Sequence, residues 1–96
     1  IGSHPNGYEV WADPSMFAPQ MSVGAPPDSF FADGQNWGFP PPMPAAMHAS
    51  GHRLWRHLID RVGRHADVLR IDHAMAVHRL WWVPDGFSAP QGVYVT

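Results

Sequence analysis

The sequence predicts an α/β fold, and three observations carry that expectation. A helical pattern over about 49–66 runs straight into a brief apolar run of strand type, Asp67-Val68-Leu69-Arg70-Ile71, and a helix feeding a strand is half of a repeating α/β unit. That run ends on a carboxylate, Asp72, at the strand end where α/β barrels place their chemistry. Five Trp and five Phe among 96 residues, with 45% hydrophobic residues, are too apolar for a disordered segment. A whole (β/α)₈ barrel takes roughly 250 residues, so the chain is expected to be a fragment of one at most. Both ends read as cuts: it begins at Ile1 without an initiator Met and stops at Thr96, directly after the strand-like Gly92-Val93-Tyr94-Val95.

Five stretches follow in order. In residues 1–20, Tyr8-Glu9-Val10-Trp11 is expected to form a short strand, bracketed by Pro5, Asn6 and Gly7 before it and Asp13-Pro14 after it. Residues 21–44 hold Pro26-Pro27 and Pro40-Pro41-Pro42, a density at which neither helix nor internal strand should persist. This stretch is predicted to be a long loop, and Phe30, Phe31, Trp37 and Phe39 predict that it is ordered against something, as a lid or binding loop.

Residues 45–66 are expected to be helical. Leu54, Trp55, Leu58, Ile59 and Val62 fall on one stripe and Arg53, Arg56, Asp60, Arg61 and Arg64 on the other faces, with Ser50 as a cap. Residues 67–73 form the predicted strand with its carboxylate. Residues 74–96 are expected to hold a short helical turn through Met75 to Trp82, ended by Pro84 and followed by a turn at Asp85-Gly86.

Composition removes several classes of function. Net charge is −2 and all six cations are Arg, without a basic run, so the electrostatic footprint of a nucleic-acid binder is missing. The chain has no Cys, which excludes disulfides, thiolate catalysis and cysteine-held zinc, and suits a reducing cytoplasm. No apolar stretch approaches the roughly 20 residues of a membrane span. His48 and His52 have the i, i+4 spacing of zinc-binding helices, but the intervening Glu is missing and no acidic partner is near, so no metal is predicted. No cofactor is predicted either.

Two features offer chemistry. In a strand Arg70 and Asp72 project to the same face, so a guanidinium would stand beside a carboxylate and keep it ionised and aimed. A structural ion pair at a strand end fits the same residues. Trp37, within Gly34-Gln35-Asn36-Trp37-Gly38, would offer a flat stacking face beside amide hydrogen-bonding groups, which suits a sugar ring; an indole plugging its own loop fits equally. The Pro40 to Pro44 run could serve as a polyproline ligand, but Met43 interrupts it and an internal loop is the better reading.

Taken together, the blocks resemble a known family. Val23-Gly24-Ala25-Pro26-Pro27-Asp28, Phe31, Gly34-Gln35-Asn36-Trp37-Gly38-Phe39-Pro40-Pro41, Leu69-Arg70-Ile71-Asp72-His73, Leu80-Trp81-Trp82-Val83-Pro84 and Gly92-Val93-Tyr94-Val95 are similar in order and spacing to the 4-α-glucanotransferases. These are the amylomaltase or disproportionating enzymes of the α-amylase superfamily. Gly7-Tyr8-Glu9-Val10-Trp11-Ala12 resembles the segment after that family's third barrel strand.

The resemblance implies specific roles. Asp72 would be the catalytic nucleophile at the end of the fourth barrel strand, Arg70 the arginine beside it, and His73 a contact to the sugar in the reactive subsite. Gly24 to Pro41 would be the flexible loop over the cleft, with Asp28, Gln35 and Trp37 lining the glucan path. Ala76 stands where a glycine is common and His52 where a tyrosine is common, and neither position is catalytic. The substrate would be an α-1,4-glucan or maltooligosaccharide, cleaved with retention and passed to the 4-hydroxyl of another glucan.

Such chemistry needs a second carboxyl about 5–5.5 Å from the nucleophile. The single Glu here, Glu9, lies upstream in a different block, so the isolated chain is expected to be inactive. Two further classes remain open: a non-catalytic α-glucan-binding piece built on Trp37, and a helix-and-loop interaction module with the Pro run as its ligand.

Overall fold

The computed structural model describes residues 2–96. Its helices are α1 (Tyr8–Ala12), α2 (Pro44–Ala49) and α3 (Arg53–Gly63), and its strands are β1 (Met21–Ala25), β2 (Gln35–Asn36), β3 (Leu80–Pro84) and β4 (Val93–Val95). Single 3₁₀ turns occupy Pro14–Met16, Ala74–Val77 and Ala89–Gln91. The chain is therefore mixed α/β, as expected. Its sheet, however, runs β2-β1-β3-β4 with every pair antiparallel, rather than as the parallel ladder of a barrel segment.

The centre of that sheet lies inside the stretch expected to be an ordered loop without strand. β1 occupies the proline-free interval between Pro19 and Pro26 and pairs with β3, Val23 opposite Trp82 and Ser22 opposite Val83. Proline density is a local signal, and here a distant partner rich in aromatic and β-branched side chains overrides it. The same pairing corrects the expected helical turn through Met75 to Trp82. Only Ala74–Val77 winds, as 3₁₀, and Leu80-Trp81-Trp82-Val83-Pro84 is extended. Val83 is fully buried within the sheet, and Val23, on the opposite face by register, nearly so.

The proline run lies antiparallel beside the earlier chain. The Val23 N–H donates to the Phe39 carbonyl at 2.9 Å, the Ala18 N–H to the Pro41 carbonyl at 2.9 Å, and the Met43 N–H to the Met16 carbonyl at 2.8 Å. Prolines suit this place because they need only accept on the paired side, having no N–H to leave unsatisfied. Pro41 is fully buried, which removes the run as an external polyproline ligand.

Gly24 allows the strap to close. A Cβ there would collide with the Gln35 carbonyl oxygen, which β2 brings close as it pairs beside β1. Gly34, at φ +67°, makes the tight turn into β2.

Helix formation differs from the expectation in two places. Tyr8 to Trp11 is helical, with the Trp11 N–H donating to the Gly7 carbonyl at 3.0 Å. A run of five residues is too short for periodicity to separate strand from helix. The single helix expected over 45–66 is two, broken where Gly51 and His52 adopt left-handed φ of 61° and 57°. Ser50 closes α2 rather than opening α3: its hydroxyl donates to the Met47 carbonyl at 3.1 Å. The break turns Met47 onto Met16 and Phe17 as the core, against which Val10, Ala46, Leu54 and Trp55 pack.

The apolar stripe of α3 is only partly covered: Leu54, Trp55 and Leu58 are half-buried, while Ile59 and Val62 are exposed. Residues 67–73 do not form the expected strand. Val68 is 84% exposed, and the run has no ladder partner among the described residues, without which a strand leaves its backbone groups unpaired. No described helix is long and apolar enough to cross a membrane.

Candidate functional site

The lid and the carboxylate segment meet. Trp37 leaves β2 with its backbone N–H held by the Val23 carbonyl at 2.9 Å, which fixes where its ring starts. The ring then reaches His73, edge to face, with centroids 5.1 Å apart and planes at 86°. Phe39, two residues on and past the left-handed Gly38, lies 6.1 Å from the Trp37 ring. Together with Asp72, Val23, Ala76 and Leu80, these rings line an open concavity of about 250 Å³. Its floor is apolar sheet and its rim carries one carboxylate and one imidazole, the mixed lining a sugar needs.

The chain turns sharply after the carboxylate. His73 adopts φ +51°, a left-handed conformation uncommon outside Gly that His, Asn and Asp enter more readily than other residues, and its carbonyl accepts the Ala76 N–H at 2.9 Å to start the 3₁₀ turn. That reversal is what presents Asp72 and His73 to the strap. Such strained backbone tends to gather at functional sites.

Arg70 and Asp72 pair as the spacing suggests, Nη2 to Oδ1 at 3.2 Å, but outside a strand. Both side chains are more than four-fifths exposed, so in this chain solvent screens the pair and it contributes little to stability.

The remaining candidates divide. Gln35 accepts the Trp37 indole N–H on its Oε1 at 2.9 Å and is not among the residues lining the concavity. Asp28 is spent on its own loop: Oδ1 accepts the Phe30 and Phe31 N–H groups at 2.8 and 2.7 Å, an Asx-type turn, and its side chain stands away from the concavity. Phe39 and Leu80 are lining residues that the sequence did not single out as site residues. The aromatic residue two positions from Trp37 in the same Gly34 to Pro41 block is the signal that could have found Phe39.

Glu9 lies elsewhere, beside Asp13, Arg53 and His57 around a separate hollow. His48 and His52 meet edge to face at 5.1 Å across the helix break, and no group of three or more acidic or imidazole side chains is arranged to hold an ion among the described residues.

Comparison with known proteins bears on this arrangement as a whole. A sequence model of the 4-alpha-glucanotransferase family matches residues 1–96. The 4-alpha-glucanotransferase of Mycobacterium tuberculosis is 44% identical over 95 residues, covering 99% of this chain and 13% of that protein. Among solved structures, the amylomaltase from Corynebacterium glutamicum superposes with a TM-score of 0.93 at 37% identity, over 99% of this chain and 14% of the other. An amylomaltase from Streptococcus agalactiae in complex with acarbose gives 0.91 at 28% identity, over 99% and 21%. Fold and sequence thus place the chain among glucan-transferring enzymes. It belongs to the 4-alpha-glucanotransferase family, and it spans about one eighth of the length of its mycobacterial relatives.

Proposed function

We propose that this chain is the part of a 4-α-glucanotransferase that carries the nucleophile and the lid over it, in the third and fourth units of a (β/α)₈ barrel. The observation that carries the reading is the convergence of Trp37, Asp72 and His73 on one concavity from segments more than thirty positions apart. The acarbose complex of the Streptococcus agalactiae relative supports a carbohydrate as the occupant.

In this mechanism an α-1,4-glucan lies across the concavity with a sugar ring stacked on Trp37. The Asp72 carboxylate attacks the anomeric carbon, the bond to the leaving 4-oxygen breaks, and a carboxyl acid donates a proton to that oxygen. The glucan is then held covalently on Asp72. The 4-hydroxyl of an acceptor glucan attacks the same carbon, losing its proton to the group that served as acid, and the configuration is retained. Arg70 orients Asp72 by donating Nη2–H to its Oδ1, and the aromatic lid keeps water from taking the acceptor's place.

Asp72 is the sole carboxylate among the described residues lining the concavity, so the acid/base residue comes from a part of the protein beyond these 96 residues. There, too, the exposed run at 67–71 would find the neighbouring strands it lacks here. The protein is expected to act in the cytoplasm. A fluorinated glucosyl donor that forms the covalent intermediate but releases it slowly tests the assignment on the full-length protein. Label on the peptide containing Asp72 supports it, and label on any other carboxylate overturns it.

A further inference from the structure

The Gln35 amide and the Trp37 indole are joined by a hydrogen bond that the proposed chemistry does not use. Gln35 Oε1 takes the Trp37 Nε1–H at 2.9 Å, in a partly buried setting where few other acceptors compete. The backbone of both residues is already fixed: Gln35 pairs with Ala25 in the β1/β2 ladder, and the Trp37 N–H is bound to Val23. What the side-chain bond adds is rotation. An indole held only at its backbone can turn about two side-chain torsions, and tying its single donor to a fixed amide selects one orientation. In that orientation the ring meets His73 at 86°.

We infer that Gln35 is a positioning residue that acts through Trp37, fixing the indole so that it offers a glucan its ring face and withholds its N–H. This rests on the glucan-transferring reading of the site. It differs from the expectation that Gln35 itself lines the glucan path, because a Gln35 oxygen already bound to the indole is not free to accept a sugar hydroxyl along the same direction. Two chemical consequences follow. Once the donor is gone, removing the acceptor must add no further damage, since both changes break the same bond. A side chain that restores an acceptor at position 35 must restore the orientation.

The test uses the full-length protein in two arms. In the first, without any glucan, ¹⁵N-Trp-labelled protein is compared with Gln35→Leu and Gln35→Glu, the Trp37 indole N–H peak being identified by its loss in Trp37→Phe. The peak should move in Gln35→Leu and show a hydrogen-bonded position in Gln35→Glu, whose carboxylate also accepts. An unmoved peak in Gln35→Leu overturns the inference, whatever the protein's activity.

The second arm measures transfer from maltotriose for Gln35→Leu, Trp37→Phe and the double variant. Each single change should raise KM by about fivefold, the worth of one hydrogen bond, with a smaller effect on kcat. The double variant should be no worse than either, and Gln35→Glu should lie near the wild type. Full additivity, with Gln35→Leu costing as much in the Trp37→Phe background as alone, would mean that Gln35 touches sugar directly and would overturn the positioning role. Absence of transfer in the wild-type protein would sink the glucan-transferase reading, while the first arm still decides the hydrogen bond.

Discussion

Trp37 and His73 touch edge to face, their ring centroids 5.1 Å apart. One residue stands on a proline-rich strap held against a sheet edge, the other immediately after the carboxylate assigned as nucleophile. Their contact ties the position of the strap to that of the proposed nucleophile, and several outcomes depend on it.

Removing the indole should cost transfer rather than fold. Trp37 is only partly buried and its backbone is held independently by Val23. In the full-length protein Trp37→Ala is expected to lower kcat/KM for maltotriose by roughly 1 kcal/mol, the scale of an aromatic contact, with the melting temperature nearly unchanged. A large drop in melting temperature with unaltered kinetics would mark the indole as a plug for its own loop.

The nucleophile admits a shape-preserving test. Asp72→Asn keeps the outline of the side chain but removes its charge and its nucleophilic oxygen, so transfer should fall by several orders of magnitude while glucan still binds. Arg70→Ala should depress turnover more than binding, because its partner in the structure is Asp72. Equal losses in binding and turnover would place Arg70 on the substrate instead.

Gly24 is expected to be intolerant of any side chain. A Cβ at this position runs into the Gln35 carbonyl, which belongs to the ladder and cannot swing aside as a flexible side chain would. Gly24→Ala should destabilise the protein by about 1–3 kcal/mol, the range for overpacked sites, and should also displace Trp37. Thermal melts alongside maltotriose kinetics read both effects. An unchanged melting temperature would show that β2 is not held against β1 in solution.

The 96-residue chain alone should neither transfer glucose units nor melt sharply. Its concavity contains one carboxylate, and Ile59, Val62, Val68, Ile71 and Val77 stay exposed. Mixed with maltotriose it should release no glucose and make no longer maltodextrins, and it should bind a hydrophobic dye and aggregate on warming. Redistribution of glucose units would disprove the incomplete catalytic set, and a cooperative melt of a monomer would show that this segment folds on its own.

The sequence alone determined what chemistry is carried and in what order. Arg70 and Asp72 pair because two residues of separation suffice to bring them together, and Gly34 and Gly86 turn the chain where their left-handed φ permits it. The strand at Val93–Val95 was legible from its β-branched and aromatic run, and so was the apolar stripe of α3. Tertiary structure decided the rest. Met21–Ala25 is a central strand only because Leu80–Pro84 pairs with it, and Asp67–Ile71 is not a strand because nothing among the described residues pairs with it. Local composition cannot register a partner some sixty positions away, or the lack of one. Nor could it show that Gln35 would face the Trp37 indole and Asp28 its own backbone, since a side-chain oxygen goes to whichever donor the folded chain brings within reach.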